Sequence, residues 1–322
     1  MRFIKVRPQD KSYQLYLSEG PSPKPHAHEI LLDVEAAGIN RADILQARGF
    51  YPPPKNASPI LGLECSGVVS QLGQEVKGFK VGDKVMALLP GGAYSESVAV
   101  LATHCIPIPG DITMTEAAGI METLSTTYLN LVTLGRAKSG QRILVHGGGG
   151  GIGTMSIRLA KILGVEITVT TGSDDKAAKC ENLGAESINY RAAPWHEQTH
   201  KKFDIILDCI GANYLESNLN HLNQDGKLIL IGLMGGQKAE IDLARVLNKR
   251  IQVIGSTLRP LDSDRKTALI NDLKKNLSEA ITNRELTPPI DSVLPFSEAN
   301  DAHQRMRANQ HFGKIVLSWK TC

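Results

Sequence analysis

The sequence predicts an α/β protein in which a small, mostly antiparallel β-rich domain is joined to a doubly wound parallel sheet. Three observations support this prediction. Short strand-like runs separated by glycine and proline turns fill residues 1–110. From Gln141 onward, apolar strand-like runs alternate with amphipathic helical stretches, as in parallel strands joined by crossover helices. The length of 322 residues suits two domains.

The first part of the chain is predicted to hold strands at Glu29–Ala37, Ser66–Gln71, Lys84–Leu88, Ser95–Val100 and Cys105–Pro107. Thr113 and Glu116 match a capping signature and open a helical stretch that we expect to run through about Leu134. The parallel sheet is predicted from strands at Ile143–Val145, Glu166–Thr170, Ser187–Asn189, Asp204–Asp208, Lys227–Ile231 and Ile251–Ile254. A last strand, Gly313–Ser318, is expected to return to the N-terminal domain.

Composition narrows the functional classes. The net charge is 36 − 33 = +3, with no dense lysine and arginine cluster, so we expect no nucleic-acid partner. No apolar run approaches the ~18–20 residues that span a bilayer, and the start lacks the apolar core of a signal peptide. The cysteines are scattered, which indicates a reduced, cytoplasmic chain without a cysteine-built zinc site. They are Cys65, Cys105, Cys180, Cys209 and Cys322.

Residues 142–153 join a strand, a glycine-rich turn and a helix. Gly148, Gly150 and Gly153 have the G-x-G-x-x-G spacing, and Gly147 gives a related spacing to the same two later glycines. Such glycines let a backbone approach a pyrophosphate, whose charge then lies at the helix N-terminus. The segment therefore predicts dinucleotide binding.

The second strand of the parallel sheet indicates which dinucleotide. An acid that binds the ribose of NAD is expected about 20 residues past the glycines, and the chain has Thr171 there. Asp174 and Asp175 come later and suit the first turn of a helix. Ser173 and Lys176 suit a 2′-phosphate, which favours NADPH, although a solvated helix lysine is an equal alternative for Lys176 on spacing alone.

Several motifs in order give the chain a family resemblance over essentially its whole length. They include Gly38–Asp43, Arg48–Pro54, Leu61–Gly67, Val81–Val85, Gly92–Glu96, the glycine loop, Asp208–Gly211, Gly232–Gly236 and His311–Val316. The chain resembles the zinc-independent quinone oxidoreductases of the medium-chain dehydrogenase/reductase superfamily, the zeta-crystallin-like group. The resemblance implies a GroES-like catalytic domain from residues 1–121 and 263–322, and a Rossmann domain that binds NADPH at residues 122–262.

The resemblance also implies roles for single residues. Asn40 would lie near the nicotinamide ribose and the substrate, Tyr51 would line the quinone pocket, and Thr126 would lie near the nicotinamide. Their structural alternatives are a turn or cap residue, an aromatic at a domain edge and an ordinary helix threonine. The implied cofactor-binding residues are Gly147, Gly150, Gly151, Ile152, Gly153, Gly172, Ser173, Lys176, Tyr190, Gly211, Leu233, Met234 and Lys314.

The chain departs from the zinc enzymes of the superfamily. It has Asn40 where they carry a cysteine and Leu63 where they carry a histidine, and Glu64 alone cannot supply the three ligands of a catalytic zinc. We therefore expect no metal and a small-molecule acceptor that is already activated.

These observations predict an NADPH-dependent quinone reductase that transfers hydride to quinones or related conjugated carbonyls. The alternatives are an NADPH-dependent reductase of enone or alkenal double bonds and an NADPH-binding protein with little turnover. We expect no membrane partner and a homodimer, since Ile251–Ile254 would be an exposed sheet edge. The sequence leaves open the physiological acceptor, one- or two-electron reduction, and whether Tyr51 donates a proton.

Overall fold

A computed structural model describes residues 1–10 and 12–320. Cys322, one of the scattered cysteines, lies outside the described residues. The chain divides into two compact units, Met1–Ser125 with Arg259–Cys322 (unit 1) and Thr126–Leu258 (unit 2). The domain boundaries drawn from the resemblance stay a prediction.

The strands in chain order are β1 (Arg2–Gln9), β2 (Ser12–Glu19), β3 (Glu29–Gly38), β4 (Glu64–Leu72), β5 (Lys84–Leu88), β6 (Ser97–Leu101), β7 (Cys105–Pro107), β8 (Arg142–His146), β9 (Glu166–Thr171), β10 (Glu186–Asn189), β11 (Phe203–Asp208), β12 (Leu222–Leu230), β13 (Gln252–Gly255), β14 (Ile290–Pro295) and β15 (Lys314–Ser318). The α-helices are α1 (Arg41–Ala47), α2 (Met114–Ala117), α3 (Met121–Tyr128), α4 (Gly151–Leu163), α5 (Asp174–Asn182), α6 (Leu215–His221), α7 (Leu243–Lys249), α8 (Ser263–Thr282) and α9 (Ala299–Arg307).

Unit 1 is built on a sheet in the order β14-β15-β3-β4-β5-β7, with β6 also paired to β3. Its pairs are antiparallel except β14 with β15. β1 and β2 form a separate antiparallel ribbon. The return strand predicted at the C-terminal end is β15, which pairs with β3 from the N-terminal part. Unit 1 thus contains strands from both ends of the chain, and the β-rich part of the predicted fold class is confirmed.

Unit 2 is a parallel sheet in the order β10-β9-β8-β11-β12-β13. Numbered from β8, this is the order 3-2-1-4-5-6 of a Rossmann sheet, in which ligands bind at the carboxyl ends where the strand order reverses. That point lies between β8 and β11. Leu144, Ile206 and Leu228 from three neighbouring strands are fully buried in the core, as expected for strands covered on both faces. The predicted α/β fold class is confirmed.

The helical stretch expected up to about Leu134 does end at Leu134, but it is divided rather than continuous. The capping box of Thr113 and Glu116 is present and starts α2, but Gly119 separates α2 from α3. The last turn, Leu129–Leu134, is π-helical. There the Asn130 side chain donates to the Thr126 carbonyl (2.7 Å), which is the acceptor that an α-helix would assign to the Asn130 N–H.

In the described part of the chain, no helix has both the length and the apolar character needed to cross a membrane.

Candidate functional site

The glycine loop of unit 2 joins β8 to α4, and its glycines are required by the backbone. Gly147 has a φ of +85°, which side chains disfavour. A β-carbon on Gly148 would lie 2.5 Å from the Val169 side chain, and one on Gly153 would lie 2.4 Å from the carbonyl oxygens of Gly147 and Gly148. The turn therefore holds the start of α4 close to β8 and β9, and Gly148 has a packing reason to be glycine.

The N-terminus of α4 has no capping side chain, because its N-cap is Gly150. In contrast, Ser173, Asp242 and Asp262 cap α5, α7 and α8 by accepting a backbone N–H. The first N–H groups of a helix and its dipole attract an anion. Gly151 and Ile152, whose N–H groups belong to this first turn, are half-buried rather than enclosed. This geometry fits the pyrophosphate of a dinucleotide.

The residues predicted to bind the 2′-phosphate come together at the carboxyl end of β9. The Ser173 hydroxyl accepts from the Lys176 N–H (3.3 Å). A β-carbon on Gly172 would lie 2.7 Å from the Tyr190 hydroxyl and 3.7 Å from Nε of Arg191. Because Gly172 has no side chain, the hydrogen-bonding groups of Tyr190 and Arg191 can lie next to its backbone. Arg191 was missed by the sequence analysis, although it directly follows Tyr190.

The two acidic residues that follow Ser173 lie in the first turn of α5, as predicted. Asp175 forms an ion pair with Lys179 (2.8 Å), and Asp174 accepts from the Asn189 side chain (2.7 Å). Both carboxylates therefore have partners on the protein. The strand itself ends in Thr171, so no carboxylate occupies the position that binds the ribose of NAD.

Next to this end of the sheet lies a cleft of about 420 Å³. Aromatic rings of Tyr190, Trp195 and Tyr214 contribute to its lining together with Arg191 and Asn213. Planar apolar walls with a few polar groups suit a flat heterocycle.

Two loops of unit 2 that contact each other contain three residues predicted to bind the cofactor. They are Gly211, Leu233 and Met234. Gly211 has a φ of +82°, and a β-carbon there would lie 2.9 Å from the Leu233 side chain. The Met234 N–H donates to the Cys209 carbonyl (3.1 Å). Leu233 and Met234 are 49% and 54% exposed, so both side chains are available to a ligand.

Asp208 fixes the loop after β11. Its carboxylate accepts from the N–H groups of Ile210 (2.6 Å) and Gly211 (3.1 Å) and from the Asn218 side chain (3.0 Å). Burial raises the pKa of Asp208 to about 6, although these hydrogen bonds act in the opposite direction. His146, just before the glycine loop, is bonded to Asn218 (2.8 Å), and burial lowers its pKa to about 4. His146 therefore remains neutral at pH 7.

Thr126, the third residue predicted to act in catalysis, lies in α3. It is half-buried, and its carbonyl is held by Asn130 at the start of the π-helical turn. Its role toward the nicotinamide stays a prediction.

In unit 1, Asn40 belongs to a buried cage around an ammonium group. Nζ of Lys314 donates to Glu64 Oε1 (2.7 Å), Asn40 Oδ1 (2.7 Å) and the Ile39 carbonyl (2.8 Å). Asn40 Nδ2 donates to the same Glu64 oxygen (2.9 Å), and the other Glu64 oxygen accepts from the Glu122 N–H (3.0 Å). Glu64 and Lys314 are 0% and 1% exposed. The orientation of the Asn40 amide is therefore fixed by charge-assisted hydrogen bonds.

This cage bears on two predictions. Lys314, expected near the cofactor, directs its three donors to acceptors within unit 1, and its contact with the cofactor stays a prediction. Zinc would need three or four ligands, but Asn40 and Glu64 converge on the ammonium of Lys314. Across residues 1–10 and 12–320, no group of three His, Cys, Asp or Glu side chains could hold a metal ion. The residues here do not fit a zinc site.

A buried hydrogen-bond chain supports the Asn40 segment. Asp43 accepts from the N–H groups of Asn40 (2.8 Å) and Gly62 (3.0 Å) and from the Tyr94 hydroxyl (3.3 Å). The Tyr94 oxygen is 3.1 Å from His303 Nε2, and His303 Nδ1 is 2.9 Å from the Tyr13 hydroxyl. Because Tyr94 donates to Asp43, Nε2 of His303 must carry the proton and Nδ1 must accept from Tyr13.

Burial shifts the pKa values of Asp43 and His303, two ionisable residues in this hydrogen-bond chain. Burial raises the pKa of Asp43 to about 6 and lowers the pKa of His303 to about 3, with Arg307 adding to the latter shift. His303 is therefore neutral at pH 7 in the folded protein. Between about pH 3 and pH 6.5 its imidazole takes up a proton only when the protein unfolds.

We expect a His303→Gln variant to lose less stability at low pH than at pH 7. The unfolded state takes up a proton at histidine below pH 6.5 and the folded state does not, so acidification destabilises the wild type through this group by about 1.4 kcal/mol per pH unit. The free-energy difference between wild type and variant should shrink accordingly between pH 6.5 and pH 4.5 in urea unfolding. A difference that does not change with pH would contradict the neutral assignment.

Tyr51, the second residue predicted to act in catalysis, is half-buried in an irregular segment after α1. The guanidinium carbon of Arg259 lies 5.4 Å from the centroid of its ring. Burial raises the pKa of the Tyr51 phenol, and the charge of Arg259 partly opposes this shift. Arg259 is 208 positions from Tyr51 along the chain, and no local pattern in the sequence predicts that the two residues are in contact.

Comparisons with known proteins agree with this architecture. Residues 26–110 match the alcohol dehydrogenase GroES-like domain, and residues 151–275 match the zinc-binding dehydrogenase family. The synaptic vesicle membrane protein VAT-1 homolog of Danio rerio is 30% identical over 318 residues, which cover 92% of this chain and 65% of that protein. The chain thus spans less than two thirds of the length of this relative.

Two solved structures cover nearly the whole chain. The Escherichia coli quinone oxidoreductase complexed with NADPH is 26% identical, with a TM-score of 0.84 over 99% of this chain and 100% of that chain. An NAD-dependent alcohol dehydrogenase is also 26% identical, with a TM-score of 0.85 over 99% of this chain and 100% of that chain. With both domain families matched in chain order on this fold, the chain belongs to the medium-chain dehydrogenase/reductase superfamily.

Proposed function

We propose that this protein is an NADPH-dependent reductase of quinones or related conjugated carbonyls that works without a metal ion. The observation that carries the proposal is the end of β9, where Tyr190 and Arg191 border Gly172, Ser173 and Lys176 begin the next helix, and no carboxylate ends the strand. Such a set favours a 2′-phosphate over a free ribose hydroxyl. The NADPH complex of the similar E. coli quinone oxidoreductase supports the proposal.

The residues of unit 2 bind and orient the cofactor in this proposal. The uncapped first turn of α4, with Gly150, Gly151, Ile152 and Gly153, receives the pyrophosphate. The aromatic cleft beside Tyr190 receives the adenine. Gly211, Leu233 and Met234 border the nicotinamide end, together with Thr126. When bound, NADPH supplies the hydride equivalent that reduces the acceptor.

The residues of unit 1 orient the acceptor. The Asn40 amide, held by Glu64 and Lys314, presents a fixed hydrogen-bonding group. Tyr51 is protonated at neutral pH, because an ordinary phenol has a pKa of about 10 and burial raises the pKa of Tyr51 further. Its hydroxyl can therefore donate a hydrogen bond to a carbonyl oxygen. Reduction of a quinone by a hydride adds two electrons and one proton, so the neutral hydroquinone requires one further proton, which Tyr51 or water supplies.

The first experiment is the oxidation of NADPH and of NADH with 1,2-naphthoquinone, 1,4-benzoquinone and an alkenal. We expect fast NADPH oxidation with a quinone and slower oxidation of NADH. Turnover of the alkenal alone would instead assign a double-bond reductase, and tight NADPH binding without turnover would assign a binding protein. Trapping of the quinone product distinguishes one-electron from two-electron reduction.

Coenzyme preference tests the end of β9 directly. We expect the double variant Lys176→Ala, Arg191→Ala to bind NADPH about 10- to 100-fold more weakly, because charged hydrogen bonds to the 2′-phosphate contribute about 1.5–3 kcal/mol. NADH binding should change little. Lys179→Ala on the same helix is the matched control, since Lys179 pairs with Asp175 on the exposed surface. Equal losses for both coenzymes, measured by fluorescence titration, would contradict the assignment.

We also propose that the protein is a homodimer that pairs through β13. In the described part of the chain, β13 pairs with β12 alone and lies at the sheet edge. Nearby, Leu243, Leu247 and Val253 are 69%, 76% and 41% exposed. Sedimentation should give twice the chain mass of 34.9 kDa, and Val253→Pro should shift the protein toward the monomer by removing an edge donor. A wild-type monomer at micromolar concentration would refute the pairing.

A cytoplasmic location stays part of the proposal.

A further inference from the structure

Arg259 is a buried cation whose hydrogen bonds all go to uncharged oxygens. It is 5% exposed. Its Nε donates to the Pro90 carbonyl (2.7 Å), one terminal nitrogen donates to the Tyr51 carbonyl (3.2 Å), and the other donates to the Gln46 side chain (2.7 Å). Among the residues that the structure describes, no carboxylate lies within ion-pair distance of it. Burial lowers the pKa of the guanidinium, and the carboxylate of Asp43, which is not in direct contact with it, partly opposes this shift. A buried charge without a direct ion pair contributes little to stability, so the value of Arg259 lies in what it holds in place.

The acceptors of Arg259 belong to three separate segments of unit 1. Gln46 lies in α1, Tyr51 lies in the irregular segment that follows α1, and Pro90 lies after β5. The Tyr51 segment continues as Pro52–Pro54, three residues without an N–H group. Because these prolines cannot donate backbone hydrogen bonds, the backbone of the segment can be fixed only through its carbonyl oxygens. The carbonyl of Tyr51, directly before the prolines, accepts from Arg259.

Arg259 is itself fixed from the other side. Nζ of Lys266, in the first turns of α8, donates to the Arg259 carbonyl (2.7 Å), and Lys266 is 7% exposed. The guanidinium also faces the Tyr51 ring at 5.4 Å, within the range of a cation–π contact. One side chain thus fixes the backbone and the ring of the same residue.

We propose that Arg259 is the positioning residue for Tyr51, fixing the phenol in the orientation that receives the acceptor carbonyl and making it a better hydrogen-bond donor. The inference rests on the proposed function for the acceptor, but the contact itself is a property of unit 1. A nearby positive charge strengthens donation by a phenol and stabilises negative charge that develops on an acceptor oxygen. The charged groups that act on the Tyr51 phenol are Arg259 and, in the opposite sense, Glu122.

The test compares Arg259→Lys and Arg259→Met with the wild type. We expect Arg259→Met to lower kcat/KM for 1,2-naphthoquinone about 30-fold, mainly through KM, while NADPH binding stays within about twofold. Arg259→Lys keeps the charge but lacks the planar fork, so it should recover part of this loss. In the Tyr51→Phe background, Arg259→Met should have less than a quarter of its effect, because the residue that it positions has lost its hydroxyl.

A second readout does not depend on turnover. Protein carrying [¹³Cζ]tyrosine reports the ionisation of Tyr51 by NMR, with Tyr51→Phe assigning the signal. We expect Arg259→Met to raise the pKa of this phenol and Arg259→Lys to raise it less. If the wild type reduces no quinone, the proposed function fails, yet this titration still decides whether Arg259 acts on Tyr51.

The matched control is Arg284→Met. Arg284 also ties a loop of unit 1, through the Asp111 carbonyl and Glu116, but contacts no predicted site residue. We expect its kinetics and the Tyr51 titration to stay at wild-type values. The proposal is overturned if Arg259→Met leaves KM and the Tyr51 signal unchanged, or if its effects are matched by Arg284→Met or fully additive with Tyr51→Phe.

Discussion

Replacing Lys314 by methionine is expected to lower the free energy of unfolding by about 3–5 kcal/mol, the usual consequence of removing one partner from a buried ion pair. Lys314 and Glu64 are almost completely buried, and Nζ of Lys314 supplies one of the bonds that satisfy Glu64 Oε1. Methionine fills a similar volume, so the loss comes from the unpaired carboxylate rather than from a cavity. Urea unfolding at pH 7 measures the change.

The partner substitution tests that explanation. In the double variant Glu64→Met, Lys314→Met neither charge remains, and we expect at least half of the lost stability to return, since paired buried charges are often replaceable by apolar groups. Lys320→Met is a matched control, because its ion pair with Glu35 lies at the surface, where the lysine side chain is 72% exposed. It should change stability by less than about 1 kcal/mol. A double variant less stable than Lys314→Met would refute the explanation.

The same pair illustrates what the sequence could not predict. The glycine loop is recognisable because its strand, turn and helix are consecutive, and the structure has them at Arg142–Leu163 as β8, loop and α4. Lys314 and Glu64 are separated by 250 positions. A lysine within an apolar strand does not show in the sequence which acid it pairs with. The family resemblance therefore placed Lys314 near the cofactor, whereas the structure pairs it with Glu64.

Local patterns also decided which strands were predicted. β8, β9 and β11 are buried on both faces and appear in the sequence as apolar runs. β1 and β2 were missed, because this ribbon alternates buried Ile4 and Leu15 with exposed polar residues and carries much charge. α7 was missed for a related reason, since its leucines are exposed and it has no amphipathic pattern facing a core.

Replacing Gly153 by alanine is expected to weaken NADPH binding by about 100-fold or more. A β-carbon there would lie 2.4 Å from two backbone carbonyl oxygens, those of Gly147 and Gly148, and backbone atoms cannot yield as a flexible side chain can. The loop must open, and the N–H groups of the first turn of α4 would then leave the positions that suit a pyrophosphate. Overpacking of this kind also costs about 1–3 kcal/mol of stability, which thermal unfolding without cofactor measures.

Gly150→Ala distinguishes a glycine required by the fold from one required by the ligand. A β-carbon at this position would meet only the Gly147 carbonyl at 3.5 Å, an ordinary contact, and Gly150 has an extended conformation that alanine adopts. We therefore expect wild-type stability without cofactor but weaker NADPH binding, because the methyl group occupies the approach to the first turn of α4. If Gly150→Ala binds NADPH as tightly as the wild type, the pyrophosphate does not lie against this turn, and the assignment of the loop is wrong even if Gly153→Ala is inactive.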